Sequence, residues 1–425
     1  MADNWSSVML GDHSTWASGG TPPKDGAEFW NGEIPWISAS SMKTGRLASS
    51  DRMLTSKGLE RGSRLAAKGS ILLLVRGSEL HKRVPVGIAT RDVAFNQDVK
   101  AINVNGPLSN EYLYYWLIAH EPMLLAKVEP TGIGAGKLDT DILKALRISV
   151  PKNPKVRDHI VNVAKSLDDK IELNWRMAVM LEEMAQAVFK SWFIDFDPVR
   201  AKAEGRPTNL PPEIDALFPD FLEDSELGPI PKGWKIGCVD DDFALTMGQS
   251  PPGSTYNQNG EGLPFYQGRS DFGFRFPTHR VYCTAPNRLA KAGDTLISVR
   301  APVGDINMAD EVCAIGRGVA AARHRTGSRS YTYYFMRSIE AVFDKFESEG
   351  TVFGSIGKKD FHAIKCCLPP RGLVEYFERI VGPLDEKVGV VERETSILAT
   401  IRDSLLPKLT TGEITVQTEL SEGQP

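Results

Sequence analysis

The stretch from Pro154 to Phe193 reads PKVRDHIVNVAKSLDDKIELNWRMAVMLEEMAQAVFKSWF, and the regular spacing of its apolar residues is the strongest structural signal in the chain. Residues in alternating steps of four and three form one seam: Ile160, Ala164, Leu167, Ile171, Asn174, Ala178, Leu181, Ala185, Val188 and Trp192. A seam sustained over more than four heptads is typical of a helix in a coiled coil. At about 1.5 Å per residue, such a helix is on the order of 50 Å long.

A second seam with the same spacing lies 217 positions further on. Its residues are Phe377, Val381, Leu384, Val388, Val391, Thr395, Leu398, Arg402, Leu405 and Leu409. Arg402 is the one misfit, and Ile401 lies beside it. Neither helix can bury its seam alone and their lengths match, so we predict that the two helices pack antiparallel on each other. The alternative is that each packs against its own neighbouring domain.

The segments in front of the two helices are also repeated. Ile34–Trp36 (IPW) returns as Leu263–Phe265 (LPF), 229 positions later, and GSILLLVR at 69–76 returns as GDTLISVR at 293–300, 224 positions later. The order is kept while the shift falls from 229 to 217, which indicates loop insertions between repeated elements. Each repeat of roughly 180 residues is large enough to fold as a domain.

We therefore predict an α+β fold in which two pseudo-repeated α/β domains are separated by two long helices that form an antiparallel coiled coil. The predicted boundaries are a first domain at 1–152, a first helix at 153–195, a proline-rich linker at 196–230, a second domain at 231–370, a second helix at 371–411 and a flexible tail at 412–425. Within the domains, short apolar runs such as 71–75 and 295–299 indicate strands, and 110–126 and 331–346 indicate helices.

Composition limits the class of protein. The chain has 425 residues and a formal net charge of −4, but residues 1–150 carry 17 Lys and Arg against 15 Asp and Glu, and residues 231–370 carry 17 against 14. The two predicted domains are thus the parts that could face a polyanion. The five cysteines fit reduced thiols, and no run of 18 apolar residues or basic-plus-apolar leader occurs. A cytoplasmic protein without a membrane span is expected.

The sequence contains no recognisable catalytic constellation. The glycine-rich segment 131–138 fails the phosphate-loop pattern twice, because Thr131 stands where a glycine is required and Leu138 where Ser or Thr is required. Its repeat at 351–359 is also basic, which favours contact with backbone phosphates, with a plain surface turn as the alternative. The seven histidines show no metal-binding spacing. The acidic pairs at 168–169 and 182–183 are interpreted as solvated charge on helix faces.

Basic and amide side chains of the two domains are candidates for contact with DNA, because Arg and Gln make bidentate contacts to guanine and adenine edges. The candidates are Lys43, Arg76, Lys82, Arg83, Lys137, Gln267, Arg269, Arg300, Arg317, Lys358 and Lys359. Arg275, His279, Arg323 and Arg325 belong to the same basic region of the second domain. For each residue the competing interpretation is an exposed, merely solvated side chain. The helix seam is expected to depend chiefly on Ile160, Leu167, Ile171, Leu181, Val188, Phe377, Leu384, Val388, Leu398 and Leu405.

Three further stretches carry a family likeness: FKSWFIDFDPVRAKAEGR at 189–206, LGPIPKGW at 227–234, and Gly20-Thr21-Pro22 with Ile34-Pro35-Trp36. With these stretches the chain resembles the specificity (S) subunits of type I restriction–modification systems over nearly its whole length. The resemblance implies a non-catalytic subunit whose two target recognition domains each read one half of an asymmetric bipartite site in double-stranded DNA. It also implies that the helices bind two methyltransferase (M) subunits and that restriction/translocation (R) subunits join. S-adenosylmethionine, ATP and Mg²⁺ are then expected only in those partners, and no cofactor or metal in this chain.

Two other classes of function stay open at this stage. A repeat-containing scaffold that binds proteins would show no salt-dependent affinity for DNA. A self-contained enzyme with an unrecognised site would turn over substrate as the purified chain.

Overall fold

The computed structural model describes residues 4–131, 134–300, 302–348 and 354–414. The chain divides into two compact units: Met1–Glu172 with Thr395–Pro425, and Leu173–Glu394. No helix within the described residues is both long enough and apolar enough to span a membrane.

The first unit is built from short strands and short helices in front of one long helix. Its strands are β1 Trp5–Met9, β2 Ser14–Ser18, β3 Trp30–Ile37, β4 Arg46–Leu47, β5 Met53–Leu54, β6 Arg64–Ala66, β7 Ile71–Leu74, β8 Arg76–Gly77, β9 Val86–Ala89, β10 Val93–Phe95, β11 Val99–Val104, β12 Glu129–Pro130, β13 Gly136–Lys137 and β14 Arg147–Pro151. The helices that accompany them are α1 Ser56–Gly62, α2 Asn110–Ala119, α3 Glu121–Leu125, α4 Thr140–Lys144 and the long α5 Pro154–Phe193, whose second half belongs to the other unit.

The second unit repeats this order. Its strands are β15 Leu222–Glu223, β16 Ile230–Pro231, β17 Lys235–Cys238, β18 Phe243–Met247, β19 Tyr256–Asn257, β20 Leu263–Tyr266, β21 Tyr282–Cys283, β22 Leu289–Ala290, β23 Thr295–Val299, β24 Val303–Met308, β25 Cys313–Ile315, β26 Val319–His324 and β27 Lys365–Leu368. Its helices are α6 Asp197–Ala203, α7 Pro212–Asp215, α8 Val239–Asp242, α9 Arg329–Ser338, α10 Glu340–Ser348, α11 Lys358–His362 and the first half of the long α12 Arg371–Thr411.

The strand pairings confirm the duplicated α+β fold. The first unit has sheets in the order β2-β11-β7-β9-β4 and β5-β3-β10-β6, and the second has β18-β26-β23-β24 and β19-β21-β20-β25-β22. In both units the second sheet contains one parallel pair in the same register, Phe95 beside Ile37 and Ile315 beside Tyr266. The apolar runs predicted as strands are the central strands β7 and β23, and every residue of both is buried.

The helix predicted at 110–126 is wrong as a single element, because the structure has α2 and α3 with a break at His120. His120 has φ −108° and ψ 19°, outside the helical region. Pro122, the second residue of the next helix, has no backbone N–H that could continue the first helix. The helix predicted at 331–346 is divided in the same way, with Ile339 between α9 and α10.

The long helices pack antiparallel within each unit, as predicted. In the first unit, Ile160 and Ala164 of α5 share a core with Leu406 and Leu409 of α12. In the second unit, Ala178 contacts Val388 and Val391, and the rings of Phe189 and Phe377 are 5.7 Å apart. Residue numbers therefore rise along α5 as they fall along α12. The predicted seam residues Ile160, Phe377 and Val388 are buried, and Leu167, Ile171, Leu181, Val188, Leu384, Leu398 and Leu405 are half-buried.

Two interpretations of charged residues on these helices are wrong. Asp168 and Glu182 are 9% and 6% exposed, so they are not solvated, whereas their neighbours Asp169 and Glu183 are exposed. The misfit Arg402 donates a hydrogen bond to Asp168 at 2.7 Å. A buried carboxylate is tolerated when it is paired and hydrogen-bonded. Arg402 therefore supplies the partner that Asp168 needs between the two helices.

The proline-rich segment 196–230 is folded against the second unit. Its prolines prevent a continuous helix, but α6 and α7 form between them, and Phe196, Val199 and Phe218 are buried in the same core as Trp192. Lys202 Nζ of α6 donates to the carbonyl oxygens of residues 215 and 218, at 2.7 and 2.8 Å. These bonds join α6 to the end of α7.

Candidate nucleic-acid interface

Four of the predicted DNA-binding residues of the second unit line one open groove of about 340 Å³: Gln267, Arg269, Arg300 and Arg317. All four are exposed, and each follows the end of a buried strand, β20, β23 or β25. Ser250, Gly268, Ser270 and Gly318 complete the lining. The buried strands fix the backbone positions of the residues that follow them. The long polar side chains therefore extend toward the solvent from rigid positions.

Backbone hydrogen bonds hold the residues around this groove. The buried carboxylate of Asp271 accepts a bond from Gln267 N–H at 3.0 Å, and Gly316 N–H donates to the carbonyl of Tyr266 at 2.8 Å. A Cβ at Gly318 would come within 2.1 Å of the Gln267 carbonyl oxygen, so only glycine allows this close approach. The exposed Arg269 guanidinium has a weak ionic contact, 3.4 Å from Asp305.

A second basic segment adjoins Arg300. Ser355 forms an isolated bridge with Arg300, and Ile356 N–H donates to the carbonyl of Val299 at 3.1 Å. Lys358 and Lys359 follow at the start of α11, and both are exposed. Residues 351–353 of the predicted basic loop lie outside the described residues. The structure thus places two predicted lysines on the segment that runs beside the groove residue Arg300.

The first unit repeats this arrangement around Arg76. Leu138 N–H donates to the carbonyl of Val75 at 2.9 Å, as Ile356 does to Val299, and Lys137 of β13 pairs with Arg76 of β8. The glycine-rich segment therefore forms an added strand next to Arg76, and Gly132 and Ile133 within it lie outside the described residues. A hydrogen bond to Asp139 raises the pKa of Lys137 above its ordinary value, so this amine stays cationic.

The remaining candidates of the first unit lie on two adjacent loops. Arg83 donates to the carbonyl oxygen of Met42 at 2.9 Å, which brings the loop with Lys43 next to the loop with Lys82. Lys43 and Lys82 are exposed, whereas Arg83 is half-buried and also lies 3.4 Å from Glu79. Arg83 therefore has a structural role in holding these loops together.

Three other arginines that the sequence placed in the basic region are structural. Arg275 is 0% exposed, Arg323 pairs with Asp294 at 2.5 Å, and Arg325 donates to the carbonyl oxygens of residues 240 and 241. His279 is close to two carboxylates, 3.3 Å from Asp310 and 3.7 Å from Glu311. None of these side chains is among the groove-lining residues.

The sequence analysis missed Gln97. The register of β10 and β25 makes Gln97 the equivalent of Arg317, because each comes two residues after the paired position, Phe95 or Ile315. Gln97 is exposed, and its Oε1 accepts a hydrogen bond from Thr21 Oγ1 at 2.6 Å. Aligning VAFNQDV at 93–99 with CAIGRGV at 313–319, a shift of 220, would have found it.

The cysteines of the described residues lack the environment of a reactive thiol. All five cysteines are free thiols, and burial raises the pKa of Cys313 and of Cys366 to about 12. Such thiols are protonated at neutral pH and are poor nucleophiles. Among the described residues, the one group with metal-ligand geometry is the exposed trio His279, Asp310 and Glu311.

Comparisons with known proteins show which proteins the chain resembles. Residues 2–182 match the type I restriction modification DNA specificity domain. The putative type I restriction enzyme MjaX specificity subunit of Methanocaldococcus jannaschii is 34% identical over 198 residues, which is 46% of this chain and 46% of that relative. The chain thus aligns with less than half the length of this relative. The MjaIX specificity subunit of the same organism is 25% identical over 437 residues, covering 97% of this chain and 94% of the relative.

A solved structure shares the fold. The crystal structure of a type I restriction–modification S subunit from M. genitalium matches with a TM-score of 0.57 and 16% identity, covering 96% of both chains. The chain is thus similar to the type I restriction–modification specificity subunits in sequence over residues 2–182 and in fold.

Proposed function

We propose that this chain is the non-catalytic DNA-specificity subunit of a type I restriction–modification enzyme, and that each unit reads one half of an asymmetric bipartite duplex site. The observation that carries the proposal is the pair of equivalent surfaces with different side chains. Gln97 in the first unit stands where Arg317 stands in the second. Because an amide prefers adenine and a guanidinium prefers guanine, equivalent positions on one frame can read different bases.

The groove of the second unit combines the two kinds of contact that duplex recognition needs. Gln267, Arg269 and Arg317 are exposed and carry donor groups suited to base edges, and we assign base contact to Gln267 and Arg269. Lys358 and Lys359 are point charges next to Arg300, and we assign them to backbone phosphates, which position a protein without carrying sequence information.

Exposed apolar side chains on the long helices support binding of two equivalent partners. In the second unit, Leu173, Met180 and Met184 follow one face of α5 and are 48%, 62% and 52% exposed. In the first unit, Ile397 and Ile401 of α12 are 60% and 40% exposed, and they lie 217 positions after Met180 and Met184. Exposed apolar stripes mark protein-binding surfaces. We assign these to two methyltransferase (M) subunits, which would hold S-adenosylmethionine; restriction/translocation (R) subunits, which use ATP and Mg²⁺, would complete the enzyme.

The alternative function is a protein-binding scaffold without DNA readout. The match of residues 2–182 to the type I specificity domain and the exposed cationic groove favour the specificity subunit. The test is selection of duplexes from a pool with randomised positions, using the chain assembled with methyltransferase subunits. Enrichment of a sequence with two separated conserved halves, with affinity that falls as salt rises, is expected. Retention of random duplexes without any enriched sequence would favour the scaffold.

A further inference from the structure

Arg275 is the largest fully buried side chain of the described residues, and it lies on the segment that carries two groove residues. This segment follows β20 and contains Gln267 and Arg269. Burying a guanidinium costs desolvation energy, which ion pairs and hydrogen bonds must offset. Arg275 lies only eight residues after the groove residue Gln267, so its contacts also hold the segment that carries the groove side chains.

The contacts of Arg275 reach both long helices inside the second unit. Its Nη1 donates to Asp385 of α12 at 2.8 Å, and its Nη2 lies 3.2 Å from Glu182 of α5. Nη2 also donates to the Tyr334 hydroxyl at 2.8 Å, and the guanidinium carbon lies 3.9 Å from the centre of the Tyr333 ring. The guanidinium is thus oriented by two carboxylates, a hydroxyl and a ring face, which together allow one placement.

The backbone of Arg275 is held as well. Its N–H donates to Glu392 of α12 at 3.2 Å, and its carbonyl accepts from Met308 N–H at 2.9 Å. Four residues earlier, Asp271 accepts the bond from Gln267 N–H and one from Arg280 at 2.8 Å. The anchor at Arg275 is therefore linked to the groove through a short segment that is itself hydrogen-bonded.

The first unit has a comparable arginine. Arg46, 229 positions before Arg275, bonds Glu172 of α5 at 2.6 Å and also pairs with Asp169. The two arginines lie one position apart in the repeated frame. Ile88 N–H donates to the carbonyl of Gly45, the residue before Arg46, whereas Met308 N–H donates to the carbonyl of Arg275 itself. The partners of Arg46 are more exposed, with 51% of the Asp169 side chain accessible.

We infer that Arg275 and Arg46 are positioning residues for base recognition: each fixes how its unit's recognition loops are held on the long helices. This inference rests on the proposed function. Arg275 has the larger effect because its network is buried, and it acts on the half-site that the second unit reads. Lysine keeps the charge but loses the planar fork, so Arg275→Lys tests orientation rather than charge.

The experiment is duplex selection from a randomised pool with the chain assembled with methyltransferase subunits, comparing wild type, Arg275→Lys and Arg46→Lys. For Arg275→Lys we expect discrimination between bases to fall at least tenfold in one half-site while the other half-site keeps its wild-type preference. Arg46→Lys is the matched control and should change only the opposite half-site, by a smaller factor. Unchanged preference in a folded Arg275→Lys, or equal loss in both halves, would overturn the inference.

A second variant tests the same inference in case Arg275→Lys does not fold. Tyr334→Phe removes only the hydroxyl that Arg275 and Asp385 share. A loss of discrimination of about threefold, confined to the same half-site, is expected, and unchanged selection by this variant together with an unfolded Arg275→Lys would overturn the inference. If the wild-type assembly itself selects no sequence, the proposed function has failed, which is a separate outcome.

Discussion

Arg402 of α12 donates a hydrogen bond to Asp168 of α5 at 2.7 Å, at a seam position where the heptad pattern calls for an apolar side chain. The same carboxylate interacts electrostatically with Tyr114 and Tyr115 of α2, and burial is the main cause that raises the pKa of both tyrosines. In the second unit, buried Asn174 similarly donates to Glu394 at 2.9 Å. Polar pairs inside a helix seam specify register, because any other alignment leaves them unpaired.

Breaking the Asp168–Arg402 pair should destabilise the first unit. Asp168→Leu leaves the guanidinium without its main partner, and we expect a loss of roughly 3 kcal/mol or less, since 21% of the Arg402 side chain is accessible and Asp403 is also near. Urea unfolding measures the change. The double variant Asp168→Leu with Arg402→Leu should recover most of the stability, and Asp158→Leu, at an exposed position of α5 in the same unit, is the control. A double variant as unstable as the single one would contradict this explanation.

Glu392 should make stability depend on pH. Burial raises the pKa of this carboxyl from 4.5 to about 7, so between these values the folded state holds a proton that the unfolded state has lost. Stability contributed by this group therefore falls as pH rises from about 4.5 to 7. Thermal unfolding over this window should show a flatter pH dependence for Glu392→Gln than for wild type. Glu386→Gln, at an exposed position on the same helix, should leave the wild-type slope unchanged.

Contacts to bases and contacts to phosphates should give different signatures. Arg300→Ala should cost about 1–3 kcal/mol of binding and relax one base position if the guanidinium reaches a base edge. Lys358→Ala should weaken all duplexes alike and lower the salt slope by about one. Fluorescence titration of matched and mismatched duplexes at several salt concentrations separates the two. Arg371→Ala, at the exposed start of α12, is the control and should change neither quantity.

Charge placed on the apolar stripes should prevent assembly with methyltransferase subunits. Met180 and Ile397 are 62% and 60% exposed, so Met180→Glu and Ile397→Glu should fold normally. Each single variant is expected to lose one of two methyltransferase subunits and the double variant both, measured by native mass spectrometry. Gln186→Glu, exposed on another face of α5, should keep both. Full assembly of the double variant would rule out these stripes as the docking surfaces.

Exchange of residues 231–370 for the equivalent block of a relative should change one half of the recognised sequence. The groove side chains Gln267, Arg269, Arg300 and Arg317 all lie in this block, and recognition depends on side chains that reach base edges. Sequencing of methylated sites in cells that carry the hybrid chain and its methyltransferase subunits measures the result. The half-site read by the unexchanged block serves as the internal control. A change in both halves at once would refute modular recognition.

The duplication, the two long helices and most of the groove could be predicted from the sequence, because each leaves a local pattern. The seam from Ile160 to Trp192 is periodic and its packing follows from that period, and the repeat of 69–76 at 293–300 predicted the equivalent strands β7 and β23. Arg300 was identified because it ends such a strand. The break at His120 was missed, since the composition of α2 and α3 is continuous and one proline decides it.

Only the tertiary structure decided which charged side chains are buried and which are exposed. Arg275 and Arg269 belong to the same basic stretch, yet Arg275 is enclosed by Glu182 and Asp385 from two helices, and Arg269 faces the solvent. The local sequence does not reveal this pairing, because the carboxylates that pair with Arg275 lie about a hundred positions away in the chain. The cost of burying a charge depends on partners that only the folded chain brings together.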